Sequence, residues 1–389
     1  MSSVAGGPMG GAAPFTIQVG SGWHNARPGG LERLFHELTQ RLPAAGVGVR
    51  GLVVGDASVE EESGARVRAF APADASMLVR LRGARRAARA ALRERPDALL
   101  VSHFAPYGLA LLGLPARRFV VHFHGPWSGE SRAEGHGRMS FAARRAVERL
   151  VYRRADACVV LSRAFRDLLQ HDFGVAAERI HIIPGGVSVE RFAGLPDRRA
   201  ARRALGWPED APTVLTVRRL VRRTGVDRLI DAVPALRAQV PGVRVMVAGE
   251  GMESAALERR ARELGSGDAV RFLGRVPEAQ LALAYRAADL TIVPSVALEG
   301  FGLIVPESLA AGTPVLVTPV GGLPETVEDL APALVLRDAS PAAIAEGLAR
   351  ALTRPAELPD AATCAAFAKA RYDWDVVARR TADLYRRLA

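Results

Sequence analysis

The chain holds 389 residues, 49% of them hydrophobic and 24% charged, a length that exceeds one ordinary core and implies two domains of roughly 180 residues each. Cys158 and Cys364 stand too far apart to make a disulfide framework or a cysteine zinc site, and no apolar run approaches the ~20 residues of a transmembrane helix. The net charge of +11 comes almost wholly from arginine, with Lys369 the single lysine, and alone it suits nucleic acid, anionic lipid or a phosphorylated small molecule equally well.

Met1 to Ala13 carries no charged side chain and lacks both the basic start and the apolar stretch of a secretory signal, so a disordered tail is expected. The cysteine usage and the missing signal suit a cytoplasmic protein. Phe15–Gly20 then reads as a strand, followed by a glycine-containing loop and a helix from about Gly30 to Leu42. Short apolar runs at Val47–Val54, Ala98–Ser102, Phe119–His122 and Ala157–Leu161 have the form of buried parallel strands, with helical patterns such as Ala142–Tyr152 and Ala164–Gln170 between them. Val175–Pro184 gives one more strand. Ala193–Asp197 reads as a linker, after which a second series follows: Thr213–Val217, Val243–Ala248, Val270–Leu273, Leu290–Val293, Val315–Thr318 and Ala333–Leu336. Helices near Val226–Gln239, Ser254–Leu264, Glu278–Ala287 and Gly302–Ala311 connect these strands. Two alternating series predict an α/β protein of two facing, Rossmann-like, doubly wound parallel-sheet domains, residues 14–193 and 194–372. An amphipathic helix over Asp375–Leu388, in a segment 373–389, is expected to pack back toward the first domain.

Open parallel sheets bind ligands outside the carboxyl ends of their strands, so the loops there carry the chemistry. The most informative is Pro294-Ser295-Val296-Ala297-Leu298-Glu299-Gly300-Phe301-Gly302-Leu303-Ile304-Val305-Pro306-Glu307, which sets two carboxylates eight residues apart around a glycine-flanked turn that opens a helix. Gly300 and Gly302 permit close approach of backbone to ligand. The N–H groups of Gly302, Leu303 and Ile304 form a helix start able to receive a diphosphate, and the carboxylates accept paired hydrogen bonds from vicinal hydroxyls of a sugar or a ribose. A glycosidase pair would need carboxylates about 5–9.5 Å apart across one bond. Eight helical residues span about 12 Å, which favours separate ligand groups.

This stretch resembles the paired-glutamate signature of retaining glycosyltransferases of family 4, with GT-B architecture. Val217-Arg218-Arg219-Leu220, Val247-Ala248-Gly249-Glu250-Gly251, Phe272-Leu273-Gly274-Arg275-Val276 and Gly321-Gly322-Leu323-Pro324-Glu325 match further blocks in order. The resemblance runs from about Phe15 to the C-terminus and implies a nucleotide-sugar donor as co-substrate. It assigns hydroxyls of the donor sugar to Glu299, the ribose hydroxyls to Glu307, the diphosphate to Arg219 and the base edge to the backbone of Arg275 and Val276. The family's usual lysine five residues after the arginine is Thr224 here, with Arg223 adjacent as the substitute charge. The usual Pro-Asn-Gly turn reads Pro184-Gly185-Gly186, and Ser188 stands where an aspartate is common.

In the first domain the family pattern places Gly29-Gly30 near the donor phosphates and His124, within His122-Phe123-His124-Gly125-Pro126-Trp127, opposite the reacting sugar. His122 falls on the same strand face two residues earlier, and His103 ends another strand, so residue spacing alone leaves these histidines competing. Trp127, Glu130 and Glu134 lie in or beside the polar loop that follows and are candidate acceptor contacts. No Asp-x-Asp cluster is evident, so neither metal nor other cofactor is expected. A route on the donor's front face, with the departing phosphate oxygen taking the acceptor's proton, would follow from the resemblance. UDP-glucose or UDP-N-acetylglucosamine is the matching donor and a small polar acceptor the matching partner. The chain's general look also resembles aminocyclitol glycosyltransferases of aminoglycoside antibiotic assembly. A lipid-linked or polysaccharide acceptor, a nucleotide-sugar epimerase and a non-catalytic nucleotide-sugar binder are the competing readings.

Arg82, Arg85, Arg86, Arg89 and Arg93 recur at helical spacing as one positive stripe, while Leu81, Ala84, Ala88, Ala91 and Leu92 form an apolar one. The apolar stripe is mostly alanine and no aromatic residue is interleaved. The expectation is therefore a solvated stripe rather than a membrane or nucleic-acid surface.

Overall fold

The computed structural model describes residues 13–24, 29–129 and 138–389, the last segment as backbone alone at 138–140. The expected tail at residues 1–12 lies outside them. β1 (Phe15–Val19), β2 (Gly48–Val54), β3 (Val67–Ala71), β4 (Leu99–Ser102), β5 (Phe119–Phe123), β6 (Ala157–Val160) and β7 (Ile180–Ile182) form one sheet in the order β3-β2-β1-β4-β5-β6-β7. β8 (Thr213–Val217), β9 (Arg244–Ala248), β10 (Val270–Gly274), β11 (Leu290–Val293) and β12 (Val315–Val317) form a second, in the order β10-β9-β8-β11-β12. The pairings β1 with β2 and β4, and β8 with β9 and β11, are parallel. Strand order therefore reverses between β1 and β4 in the first sheet and between β8 and β11 in the second. These are the switch points at which doubly wound sheets open a crevice for ligands.

Burial on both faces explains the sequence of the second sheet. Val214, Val245 and Val247 enter one apolar cluster with the helix Val226–Gln239, whereas Leu215, Met246 and Ala248 enter another with Tyr285 and Phe301. Successive strand residues thus serve opposite cores, and the strands read as unbroken apolar runs. The expected sixth strand at Ala333–Leu336 is absent as such. Pro332–Leu334 makes a 3-10 turn, with only a bridge between Val317 and Val335 and the Leu336 N–H donating to the Val317 carbonyl at 2.8 Å. Proline at the start of the run withholds a ladder donor and turns the chain. Conversely β3 was not foreseen. It is an edge strand with two exposed positions among five, too weak a pattern to stand out.

Two compact units divide the chain without following the sheet boundaries. One holds residues 1–122, 150–158 and 378–389, the other 123–149 and 159–377. The C-terminal helix Trp374–Leu388 enters the first unit from residue 378 on, and there the Tyr385 hydroxyl meets His122 Nε2 at 2.8 Å.

Backbone approach fixes the loops of the second sheet. Gly225 has φ +70° between a 3-10 turn, Arg222–Thr224, and the helix Val226–Gln239, and a Cβ there would stand 1.9 Å from the Pro294 carbonyl oxygen. Gly242 has φ +78° with open space around it. Gly242→Ala is expected to cost the left-handed strain alone, about 1–2 kcal/mol, and Gly225→Ala a further ~1–3 kcal/mol of overpacking. Urea midpoints of the two variants report the difference, and equal midpoints would show that Gly225 does not hold the loops together.

Candidate active site

The loops that leave β8 and β11 flank the switch point of the second sheet. Arg218 follows β8 directly, and Ser295 lies two residues beyond β11. Arg218 Nη2 donates to Ser295 Oγ at 2.7 Å and to Glu299 Oε2 at 2.5 Å, while Ser295 Oγ donates to the same Oε2 at 3.0 Å. The Arg218 and Glu299 side chains are only 8% and 13% exposed, so this triangle is largely withdrawn from water. Arg223 Nη1 reaches the Leu298 carbonyl at 3.3 Å, and the Val296 N–H donates to the Arg223 carbonyl at 3.0 Å. Leu298 takes φ +53°, an uncommon conformation for a leucine, in the turn just before Glu299. Burial works to raise the Glu299 pKa. The Arg218 guanidinium, the charge of Arg223 and the Ser295 hydroxyl outweigh it and hold the carboxyl below its usual range.

Of the two neighbouring arginines one turns inward and the other outward. It is Arg218 that binds Glu299, a contact that the sequence reading does not assign. Arg219 itself is exposed, and its carbonyl accepts from Thr224 Oγ1 at 3.0 Å. Thr224, in the place of the family lysine, is buried and also donates to the Val221 carbonyl at 2.7 Å, so it braces the loop. Arg223 acts on Glu299 through its charge.

Beyond Glu299 the helix spans Ile304–Ala310 and begins two residues later than expected, because Leu303 is its cap. Gly302 has φ +75°. Among the described residues none accepts a hydrogen bond from the N–H of Gly302, Leu303 or Ile304. Gly300 is buried beside them; Phe301 is 3% exposed and packs edge-on against Tyr372 at 5.4 Å, which leaves only its main chain for a ligand. Glu307 is 4% exposed and accepts from Tyr285 Oη at 2.8 Å. At the end of β10 the Arg275 N–H donates to Glu250 Oε1 at 3.2 Å, so this donor is already engaged, and Val276 packs against the apolar cluster of Leu215 and Tyr285. A cavity of about 440 Å³ lies beside this region between Val221, Val226, Glu253, Leu257, Arg260 and Val296; Arg218, Glu299 and Glu307 do not line it.

The histidines separate by their partners. His122 is buried against Tyr385 and stacks on His103 with centroids 4.5 Å apart, and His103 Nε2 meets Gln18 Oε1 at 3.0 Å. His124 stands just past β5 and is half-buried; the protein packed around its ring lowers its pKa to about 4. It is therefore neutral near pH 7. The unfolded imidazole takes a proton below its ordinary 6.5 and the folded one only below about 4, so the unfolded state binds more protons in between and stability falls as pH drops through that window. His124→Asn is expected to show a shallower loss of urea midpoint between pH 6.5 and pH 4 than the parent chain. Identical slopes would rule out a His124 held neutral in the folded chain.

Glu148, which sequence reasoning missed, is fully buried and accepts the N–H groups of Trp127 and Ser128 at 2.7 and 3.2 Å. Trp127 also lies under the Arg144 guanidinium at 4.7 Å. Glu130 and Glu134 lie outside the described residues. Gly30 opens the helix Gly30–Arg41 with Gly29 as its cap, but Glu32 Oε2 would come within 2.3 Å of a Cβ at Gly29, and its other oxygen accepts from Ser21 Oγ at 2.6 Å. The Glu32 carboxylate thus stands beside Gly29, while Gly30 is exposed. Among the described residues no group of three or more His, Cys, Asp or Glu is arranged to hold a metal ion, and no helix is long and apolar enough to cross a membrane.

Residues 197–371 match the family described as glycosyl transferases group 1, and residues 28–191 match glycosyltransferase family 4. The chain is 38% identical over 224 residues to D-inositol 3-phosphate glycosyltransferase 2 of Catenulispora acidiphila, a match covering 55% of this chain and 52% of that protein. It is 32% identical over 272 residues to the GDP-mannose-dependent alpha-(1-6)-phosphatidylinositol monomannoside mannosyltransferase of Mycobacterium tuberculosis, covering 67% of this chain and 70% of that one. The chain spans 52%, 60% and 58% of the first three curated relatives it matches. In structure it is similar to sucrose-phosphate synthase of Thermosynechococcus elongatus, with a TM-score of 0.79, 24% identity and coverage of 96% and 99% of the two chains; this likeness bears on the GT-B fold alone.

Proposed function

Since the chain belongs to the family 4, group 1 glycosyltransferases, we propose that it moves a hexose from a nucleoside diphosphate sugar to a hydroxyl of a cyclitol-type acceptor, with retention at the anomeric carbon. The observation that carries this reading is Glu299 held ionised at the switch point, with Oε2 taken by Arg218 and Ser295 and Oε1 left for a sugar hydroxyl. Arg219, Arg223 and the N–H groups of residues 302–304 are the proposed diphosphate contacts, where guanidinium and main-chain donors offset the charge that develops on the leaving group. Glu307 is the proposed ribose contact and neutral His124 a hydrogen-bond partner of the sugar. In the transfer the bond from the anomeric carbon to the diphosphate oxygen breaks and a bond to the acceptor oxygen forms. The acceptor's proton passes to the departing diphosphate.

The acceptor class rests on the relatives, whose names specify inositol 3-phosphate and a phosphatidylinositol mannoside. An aminocyclitol of antibiotic assembly is a ring of the same chemistry. The donor proposed is UDP-glucose or UDP-N-acetylglucosamine, and the GDP-mannose named for the mycobacterial protein is its competitor. That same name favours a second reading in which the ring is carried on a phospholipid. Incubation with each donor, with and without inositol phosphate, an aminocyclitol or phosphatidylinositol, separates these cases by product mass and by the anomeric coupling of the product. Transfer is expected to be unchanged by EDTA. Donor consumption without any acceptor, inversion, or full donor binding by Glu307→Ala would overturn the proposal.

A further inference from the structure

The block Gly321-Gly322-Leu323-Pro324-Glu325 supplies none of the proposed donor contacts, yet it ends in a carboxylate that is fully employed. Glu325 rises from the 3-10 turn Pro324–Thr326 and reaches the start of the helix Arg163–Phe173. There Oε2 accepts the Arg163 N–H at 2.7 Å and Oε1 accepts the Ala164 N–H at 2.9 Å. Ser162, the cap residue of that helix, accepts the Phe165 N–H at 3.3 Å, and its carbonyl takes the Arg166 N–H at 3.0 Å. The N–H groups of a helix's first turn have no partner within the helix. Here those of Arg163, Ala164 and Phe165 are all taken, two of them by one carboxylate, which also meets the positive end of the helix dipole. Glu325 Oε2 lies 3.5 Å from Arg163 Nε as well, and the Arg163 guanidinium pairs with Glu328.

What this cap holds in place is one aromatic ring. Phe165 is buried, and a Cβ on Gly300 would stand 2.2 Å from its Cε2, so the ring lies directly against the main chain next to Glu299. The same ring packs edge-on against Phe123 with centroids 5.0 Å apart, and Phe123 immediately precedes His124. One side chain therefore touches the neighbours of both Glu299 and His124, the two residues proposed to hold the donor sugar. The glycines of the block permit the close approach. A Cβ at Gly322 would come within 2.6 Å of Ser162 Cβ and 2.2 Å of the Gly300 carbonyl oxygen. The Gly322 N–H donates to the Glu299 carbonyl at 2.9 Å. We infer that Glu325 is a positioning residue for the transfer: by capping the helix Arg163–Phe173 it fixes Phe165, and Phe165 keeps the main chain at Glu299 in register with that at His124. In this role Glu325 acts through Phe165 and makes no contact with the donor itself. Its effect on rate rests on the proposed transfer reaction; the line of contacts does not.

Hydrogen exchange of the full chain without ligand reads the contacts directly. Glu325→Ala should speed exchange at 163–165 and also at two remote places: the Val296 amide, bonded to the Arg223 carbonyl, and the Trp127 and Ser128 amides, bonded to Glu148. Asp197→Ala removes a cap of the same kind, a carboxylate that accepts the Ala200 N–H at 2.8 Å, and should speed exchange only in its own helix Arg198–Leu205. Transfer from UDP-glucose and from GDP-mannose to an inositol phosphate is measured on the same variants. For Glu325→Ala kcat is expected to fall about tenfold, less than the ~hundredfold that a 1 Å misplacement can cost. KM for the nucleotide sugar should stay within about twofold, because the diphosphate and ribose contacts lie elsewhere. Asp197→Ala should keep the parent kcat, and Glu325→Gln, with one accepting oxygen left, should fall between. Phe165→Leu should reproduce the loss of kcat, and adding Glu325→Ala to it should cost little more, since changes along one line of contact do not multiply. Faster exchange at 163–165 alone, a kcat no lower than that of Asp197→Ala, or losses that multiply in the double variant would each overturn the inference. A parent chain idle with both donors would instead overturn the proposed function, and the exchange pattern decides the line of contacts by itself.

Discussion

Glu299→Gln is expected to leave a folded chain that has lost about one to two orders of magnitude in kcat/KM. The carboxylate is the acceptor of a charged hydrogen bond from Arg218 and of a second from Ser295, and its remaining oxygen is the one proposed to hold the donor sugar. A hydrogen bond to a charged group contributes about 1.5–3 kcal/mol, and each ~1.4 kcal/mol is tenfold in rate. Loss of the direct contact, together with a misaligned amide, accounts for the factor. Removal of the charge also leaves the Arg218 guanidinium, 8% exposed, without its counter-ion. Breaking a buried pair from one side costs about 3–5 kcal/mol, so the variant should unfold at clearly lower urea. The two effects are distinguished by donor dependence. Nucleoside diphosphate alone should bind the variant nearly as well as the parent, since the diphosphate is assigned to other groups, while the intact nucleotide sugar should lose its advantage. If calorimetry shows both ligands weakened equally, Glu299 is a structural brace and not a sugar contact.

The doubly wound pattern was legible because parallel strands covered on both faces leave continuous apolar runs, and β8, β9 and β11 stand where Thr213–Val217, Val243–Ala248 and Leu290–Val293 read as such, β9 beginning one residue later at Arg244. The loops of interest were legible for the same reason: once two strand series are seen, the segments after them are fixed. Local reading failed where a partner comes from far along the chain. Arg218 carries no assignment from the sequence, because its partners Ser295 and Glu299 lie 77 and 81 residues away. Strand alternation offered a hint, since only one of two neighbouring residues at a strand end faces the crevice. The hint names no side without the register of β8 against β11. Likewise His122 resembles His124 in sequence, but its ring is claimed by Tyr385, 263 residues on. Glu148 carries no motif; it became visible only when two main-chain N–H groups converged on its carboxylate.

Arg218→Met should move the acid limb of the activity profile to higher pH, and this shift, more than the loss of rate, tests what the arginine does. In the parent chain burial pushes the Glu299 carboxyl toward the neutral form, and Arg218 is the largest influence opposing it. With the guanidinium gone the largest influence that holds the carboxyl ionised is lost, the pKa of Glu299 rises, and the ionised form gives way at higher pH than in the parent. The variant should therefore be weakest at low pH and recover toward the parent as pH is raised, with kcat/KM reduced about ten- to a hundredfold near neutrality on the worth of one charged hydrogen bond. Arg218→Lys keeps the charge and should restore the position of the acid limb. It cannot reproduce a guanidinium that reaches Ser295 and Glu299 together, so part of the rate loss should remain. Arg218 also has a buried Nε without a hydrogen-bond partner, an unsatisfied donor at the switch point. A purely architectural Arg218 predicts another outcome: both variants lose stability in proportion to activity, and the acid limb stays where it was.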